Sequence, residues 1–147
     1  VNPFQKHLAK AKKLDLSREL NSFLAQIQDT ILDLNKHQLL SGKDAKNQAL
    51  FSKTHQRGVY SAKTEELSGG RKIAGTHYTL KDTGNFFSGF YLRVDERGLF
   101  FGSIDEKSDF LVADYGDIFG LTPDNLSTLT HKTIKPYLIS YVRRVLL

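Results

Sequence analysis

The chain has 147 residues with a formal net charge of +5, from 21 Lys and Arg against 16 Asp and Glu, and it contains no cysteine. That length suffices for one domain (1–147) with a real core, and the missing cysteines exclude disulfides, thiolate metal sites and cysteine nucleophiles. The charged fraction of 25% and hydrophobic fraction of 39% are those of a water-soluble globular chain, and no apolar run approaches the roughly 18 residues that a membrane span requires. No secretory leader is expected in Val1 to Leu16, which is basic and amphipathic but lacks an apolar centre followed by a small-residue cleavage site.

Asn2 followed by Pro3 starts a helix, Asn2 capping it and Pro3 occupying a first turn where its missing N–H costs nothing. Phe4, Leu8, Ala11 and Leu14 share one face. Asp15 and Ser17 allow a break, after which Ser17 can cap a stronger helix. Leu20, Phe23, Leu24, Ile27, Ile31 and Leu34 recur in it at spacings of three and four. A long N-terminal amphipathic helix is therefore expected, its stripe facing a core because no sustained heptad marks a coiled coil.

From Ser41 to Thr76 the sequence turns polar, Gly-rich and Lys-rich, with few apolar residues beyond Leu50, Phe51, Val59, Tyr60, Leu67 and Ile73. A long loop is expected at about 41–76, poorly ordered in an isolated subunit because little apolar surface offsets the entropy of fixing it. Ser68-Gly69-Gly70-Arg71-Lys72 has glycine N–H groups and basic side chains that suit an anion, but it lacks the flanking strand, helix and Lys-Ser/Thr pair of a P-loop and reads as a turn.

The stretch Tyr78 to Ser103 concentrates aromatic residues and turn chemistry. Asp82, Thr83 and Asn85 can cap a short helix over Asn85 to Gly89, Gly84 permits the bend into it, and Phe86, Phe87 and Phe90 point to a core. Tyr91 to Asp95 alternates as a half-buried strand, with Leu92 and Val94 on one face. Glu96, Arg97 and Gly98 form a three-residue turn, and Leu99 to Ser103 returns as the second strand of a hairpin. Thr122-Pro123 caps a last helix that carries Leu126, Leu129, Ile134, Leu138, Tyr141, Val142 and Val145 inward, with Pro136 kinking or restarting it. The expected fold is α+β: a long N-terminal amphipathic helix, a small antiparallel sheet built on the central hairpin, and a C-terminal helix closing the core. Phe23, Ile27, Ile31, Phe90, Val94 and Leu138 are the expected core residues.

Catalytic chemistry is hard to find. The five histidines are scattered, none at the i, i+4 spacing of a helical metal pair, and no nucleophile elbow or triad pattern is present. Asp105, Asp109, Asp114 and Asp117 make the densest acidic cluster but lack the calcium-loop pattern. No catalytic residue, metal ligand or cofactor is expected.

The order of motifs resembles a known family. Ser61-Ala62-Lys63-Thr64 fits S-x-x-T, and Leu80-Lys81-Asp82-Thr83-Gly84-Asn85-Phe86 fits L-x-x-T-G-x-(L/F). A hairpin and Tyr115-Gly116-Asp117-Ile118-Phe119-Gly120-Leu121 follow before a C-terminal helix. This succession is similar to that of tail-completion and head-to-tail connector (neck) proteins of tailed bacteriophages. The chain departs from the more usual loop of that family, which contains Trp-Pro, since it has no Trp and no Pro between Pro3 and Pro123. The resemblance implies a non-enzymatic structural virion protein, assembled in the host cytoplasm as a homo-oligomeric ring. Its neighbours would be portal, adaptor or tail proteins, with passing contact with DNA and no membrane.

Two surfaces follow as expectations. Phe51, Val59 and Tyr60 in the loop would be assembly-interface residues, exposed in the subunit and buried against another chain. In the alternative, a small basic nucleic-acid-binding protein, Lys10, Lys12, Lys13, Arg71 and Lys72 are the candidate phosphate contacts.

Overall fold

The N-terminal third forms three short helices where a helix from Asn2 and, after a break, one long amphipathic helix from Ser17 were expected. The computed structural model describes residues 2–12 and 14–147. Helix α1 (Pro3–Ala11) begins at a reciprocal cap: Gln5 N–H donates to Asn2 Oδ1 at 2.7 Å, and the Asn2 N–H donates to Gln5 Oε1 at 3.3 Å. Helix α2 (Leu16–Gln26) is capped by Asp15, whose carboxylate accepts the Arg18 N–H at 3.1 Å, and Ser17 lies inside its first turn. Helix α3 (Gln28–Leu40) follows after Ile27, where φ −100° and ψ 16° open the ladder.

That break corrects the expected single stripe. α2 buries Phe23 and Leu24, whereas α3 buries Ile31, Leu32, Asn35, Gln38 and Leu39, so the inward face rotates by one position at the bend. Leu34 is only half-buried, and two amides take places that a hydropathy pattern assigns to water.

α3 ends in a Schellman arrangement, Lys43 N–H to Gln38 O and Gly42 N–H to Leu39 O, both 2.9 Å, with Gly42 at φ 79°. The following segment is not the structureless loop expected at 41–76. Asp44 Oδ1 accepts the N–H groups of Lys46 and Gln48, isolated bridges pair Lys43 with Ala49, Ser52 with Arg57 and Val59 with His77, and Ala62–Leu67 forms a short helix, α4. Three well-placed side chains, Leu50, Ser52 and Tyr60, are buried and tie this polar segment down. α4 is capped by Ser61, and Ser68 to Lys72 is a turn, with Gly69 and Gly70 both at positive φ.

Helix α5 (Asn85–Ser88) starts at Gly84 with φ 92° and delivers Phe86 and Phe87 inward. Strands β1 (Phe90–Asp95) and β2 (Gly98–Ser103) pair antiparallel, Phe90 opposite Ser103 and Asp95 opposite Gly98. The connection is thus the two residues Glu96 and Arg97, because Gly98, at φ 135°, already belongs to the ladder. Helix α6 (Ser108–Tyr115), which no hydrophobic period announces, comes next. Helix α7 (Pro123–Leu129) is capped as expected, Asn125 N–H donating to Thr122 Oγ1 at 3.2 Å. A π-helical turn (Thr130–Ile134) then leads into helix α8 (Lys135–Leu146), which restarts with Pro136 in its first turn, where no intrahelical N–H is needed. Leu126, expected inward, faces out beside Phe100, and Leu129 is the residue that anchors α7.

The core lies in two clusters on either side of α3. One gathers Leu32, Leu39, Leu50, Tyr60, Tyr78, Phe86, Phe87, Phe90 and Ile118, with the rings of Phe86 and Phe90 edge to face at 5.0 Å. The other joins Leu24, Ile31 and Leu129, and the inward face of the hairpin, through Leu92 and Phe101, touches both. Of the six expected core residues Phe23, Ile31 and Phe90 are buried, while Ile27, Val94 and Leu138 are half-buried.

Between the clusters a polar clamp fixes the chain after α6. Asn35 donates to Ile118 O at 3.0 Å and accepts the Gly120 N–H at 3.1 Å. Gln38 donates to Gly120 O at 2.9 Å and accepts from Thr122 N at 2.9 Å and Asn125 Nδ2 at 2.7 Å. These pairs satisfy a non-helical backbone that passes through the interior, which is why amides and not aliphatic side chains occupy that face of α3.

Candidate functional site

Asp114, near the end of α6, is the pivot of the most organised polar surface. The Ser52 hydroxyl lies 2.9 Å from both carboxylate oxygens, Thr54 N–H donates to Oδ1 at 2.8 Å, and Lys53 N–H donates to the Asp114 carbonyl at 3.1 Å. Burial alone would raise this carboxyl, but the hydrogen bonds from Thr54 and Ser52 outweigh it and hold the group below the ordinary carboxylate value. The result is a pinned turn at 52–57, closed by Ser52 N–H to Arg57 O at 2.7 Å and Arg57 N–H to Ser52 O at 3.3 Å.

Beside it three tyrosines stack edge to face, Tyr60 on Tyr78 at 4.8 Å and Tyr78 on Tyr115 at 5.3 Å. The Tyr60 hydroxyl accepts the Thr79 N–H at 3.1 Å, and its backbone pairs with Thr76 and Gly75. Burial pushes the phenols of Tyr78 and Tyr115 up, so both remain protonated donors at neutral pH. This tyrosine floor and the pinned turn bound a cleft of about 980 Å³ that also takes in Arg57, Lys63 and Lys72. What it presents to a ligand is hydrogen-bond donors and positive charge. Arg57 and Lys63 left only the basic excess between Lys43 and Lys72 as a sign of a binding role, and although Lys63, Tyr78 and Tyr115 fall in segments singled out above, nothing in the sequence marked the three as parts of one cleft.

The acidic cluster does not converge. Asp105 closes a local turn onto Lys107 N–H, Asp114 is spent in the pinned turn, and Asp117 pairs with Lys46 at 2.9 Å. Among the described residues no group of three His, Asp or Glu side chains is arranged to hold a metal ion.

The candidate phosphate contacts are likewise not brought together. Lys10 and Lys12 belong to α1 and its cap, and α1 packs against α8. Arg71 and Lys72 instead face Asp82, at 3.4 and 3.8 Å, and Lys72 also lies over the Tyr60 ring at 5.6 Å. Lys13 lies outside the described residues.

Of the expected interface residues, Phe51 and Val59 are exposed, but Tyr60 is 8% exposed and covered by its own chain, which corrects its assignment to a contact between chains. The tyrosine stack and the 75–79 backbone supply the cover that a sequence pattern could not reveal.

A larger apolar surface lies elsewhere. Ile134, Leu138, Ile139 and Val142, on the π turn and α8, form with Leu16 an open trough of about 500 Å³, edged by His131, Lys135 and Arg143. α8 has no buried residue and neither has α1, whose Phe4 is 73% exposed and whose Leu8 is also exposed. Ile104 and Phe110, before and within α6, stand out as well. Among the described residues no helix is long and apolar enough to cross a membrane. Compared with family models, curated proteins and solved structures, the chain matches none.

Proposed function

We propose that this chain is a structural subunit of a tailed-bacteriophage neck, of the tail-completion type, and that it works by assembling into a ring between capsid connector and tail. The observation that carries the reading is the uncovered apolar surface of the outer helices. Leu16 and the α8 trough form an open apolar surface, Phe4 and Leu8 on the neighbouring helix α1 are exposed as well, and apolar exposure on this scale marks an interaction surface more than single exposed side chains do. A second copy presenting a different face would cover that surface, and a heterologous contact repeated around an axis closes a ring. Phe51 and Val59, on a separate part of the surface, are exposed apolar residues too. The station in the particle rests on the succession of Ser61-x-x-Thr64, Leu80-x-x-Thr83-Gly84-x-Phe86 and the hairpin. The nucleic-acid alternative draws less support, because its basic residues sit on separate elements and two of them already face Asp82.

The test is assembly. The parent protein should form closed rings under negative-stain electron microscopy and sediment as an oligomer. The Phe4→Ser, Ile139→Ser double variant should keep its helical circular dichroism yet sediment as a monomer. A parent that stays monomeric at high concentration, or a variant that assembles as well as the parent, overturns the reading.

A further inference from the structure

The cleft over the tyrosine stack is not needed for the ring contact just described, and its chemistry differs from that of the α8 trough. Arg57 projects from the 52–57 turn that Asp114 pins, so its backbone position is set by four hydrogen bonds, from Thr54 and Ser52 to Asp114 and between Ser52 and Arg57. Lys63 sits in α4, whose start is fixed by Thr64 N–H donating to Ser61 Oγ at 3.2 Å. Both side chains are exposed, and among the described residues neither forms an ion pair. The lining around them holds the hydroxyl groups of Thr54, Ser61 and Thr64 and the phenols of the floor, and no carboxylate. The acids around the cleft are engaged or point away from its lining: Asp114 holds the turn through Thr54 and Ser52, Glu65 on α4 accepts the Ala74 N–H, and Asp82 and Glu106 line the adjoining hollow.

Unpaired cations on a fixed backbone, surrounded by donors, favour an anionic occupant, since charge-assisted hydrogen bonds to carboxylates are the strong ones and no backbone ordering remains to oppose them. Two features decide between anionic polymers. Tyr60 and Tyr78 are buried and Tyr115 is half-buried, leaving the His55 ring as the one exposed aromatic face among the lining residues, whereas single-stranded nucleic-acid sites stack successive bases on several. Leu67, 76% exposed, stands at the rim, where it can cover an apolar side chain between acidic ones. The cleft, at about 980 Å³, also exceeds what one small anion fills.

We propose that this cleft is a docking site for an acidic, extended peptide segment of a partner protein, read by Arg57 and Lys63 with an apolar contact at Leu67. The proposal does not depend on the ring reading, and its test does not use the ring.

The experiment measures fluorescence anisotropy of a labelled short peptide of alternating glutamate and leucine, titrated with the full chain, beside a labelled single-stranded oligonucleotide of equal length. The peptide should bind saturably. The Arg57→Gln, Lys63→Gln double variant should bind it at least tenfold more weakly, roughly the worth of one good charged contact, with an unchanged thermal melt. Leu67→Ser should weaken binding while leaving its salt dependence as it was. The Lys10→Gln, Lys12→Gln variant, neutralised at a distance on α1, should bind as the parent does. No peptide binding, equal loss in the α1 variant, or oligonucleotide binding that the Arg57 and Lys63 changes abolish in place of peptide binding each overturns the proposal.

Discussion

Replacing Asn35 by leucine tests whether the polar clamp on α3 holds the fold together. Asn35 is fully buried, donating to Ile118 O at 3.0 Å and accepting from Gly120 N at 3.1 Å. Leucine has a similar volume and opens no large cavity, so the cost comes from the two backbone groups left behind. Among the described residues Asn35 is the partner of both the Ile118 carbonyl and the Gly120 N–H, and each buried orphan costs about 1–3 kcal/mol. The sum, about 2–6 kcal/mol, is a large fraction of the 5–15 kcal/mol available to an ordinary domain. Urea unfolding followed by far-ultraviolet circular dichroism should place the variant's midpoint lower by about 1–3 M, taking a slope of roughly 2 kcal/mol per M for a small protein. Gln38→Leu should act similarly, since it orphans Gly120 O and Thr122 N–H, and the two changes should be less than additive because one segment, 118–122, loses its anchor in either case. A loss below about 0.5 kcal/mol for Asn35→Leu, the range of an ordinary surface change, would refute the view that these amides fix the crossing segment.

Two further outcomes follow from named contacts. Asp114→Ala leaves the Thr54 N–H and the Ser52 hydroxyl without their acceptor, and near neutral pH it should cost about 2–4 kcal/mol. Because the native Asp114 carboxyl is held below its ordinary value, its contribution is complete above about pH 4 and disappears as pH falls through the native pKa. Melts of parent and variant should therefore draw together as pH falls below about 4 and the Asp114 carboxyl protonates, whereas a gap that stays constant with pH contradicts the pinned-turn account. Gly42→Ala should destabilise by about 1–2 kcal/mol or more from its left-handed backbone alone. It also drives a Cβ to within 2.5 Å of the His77 ring, while Gly102→Ala, which meets the exposed Tyr91 ring at 2.5 Å with ordinary φ, should cost less because that ring can swing away. Equal melting temperatures for the two glycine variants would show that the helix α3 terminus tolerates a side chain.

Local chemistry was legible in the sequence by itself wherever adjacent residues decide the outcome. The Asn2-Pro3 and Thr122-Pro123 caps, Gly84 before α5, the restart at Pro136 and the β1–β2 hairpin all depend on the preferences of a few neighbouring residues, and each stands where those preferences put it, except that the hairpin turns on two residues where three were expected. The inward Phe86, Phe87 and Phe90 followed from the same short-range pattern. The tertiary structure decided everything that needed a distant partner. The bend at Ile27 turns α3 so that Asn35 and Gln38 meet backbone more than 80 residues away, which no period in a helix announces. Segment 41–76 reads as loop by composition, yet Asp114, Tyr78 and Tyr115 arrive from later in the chain to pin its turn and cover Tyr60. Arg57 and Lys63 gain a shared cleft only through that packing, and Arg71 and Lys72 meet Asp82 for the same reason. Composition and periodicity report what a residue prefers locally. Burial and pairing depend on which other parts of the chain the fold brings within about 4 Å, and that is a property of the whole chain.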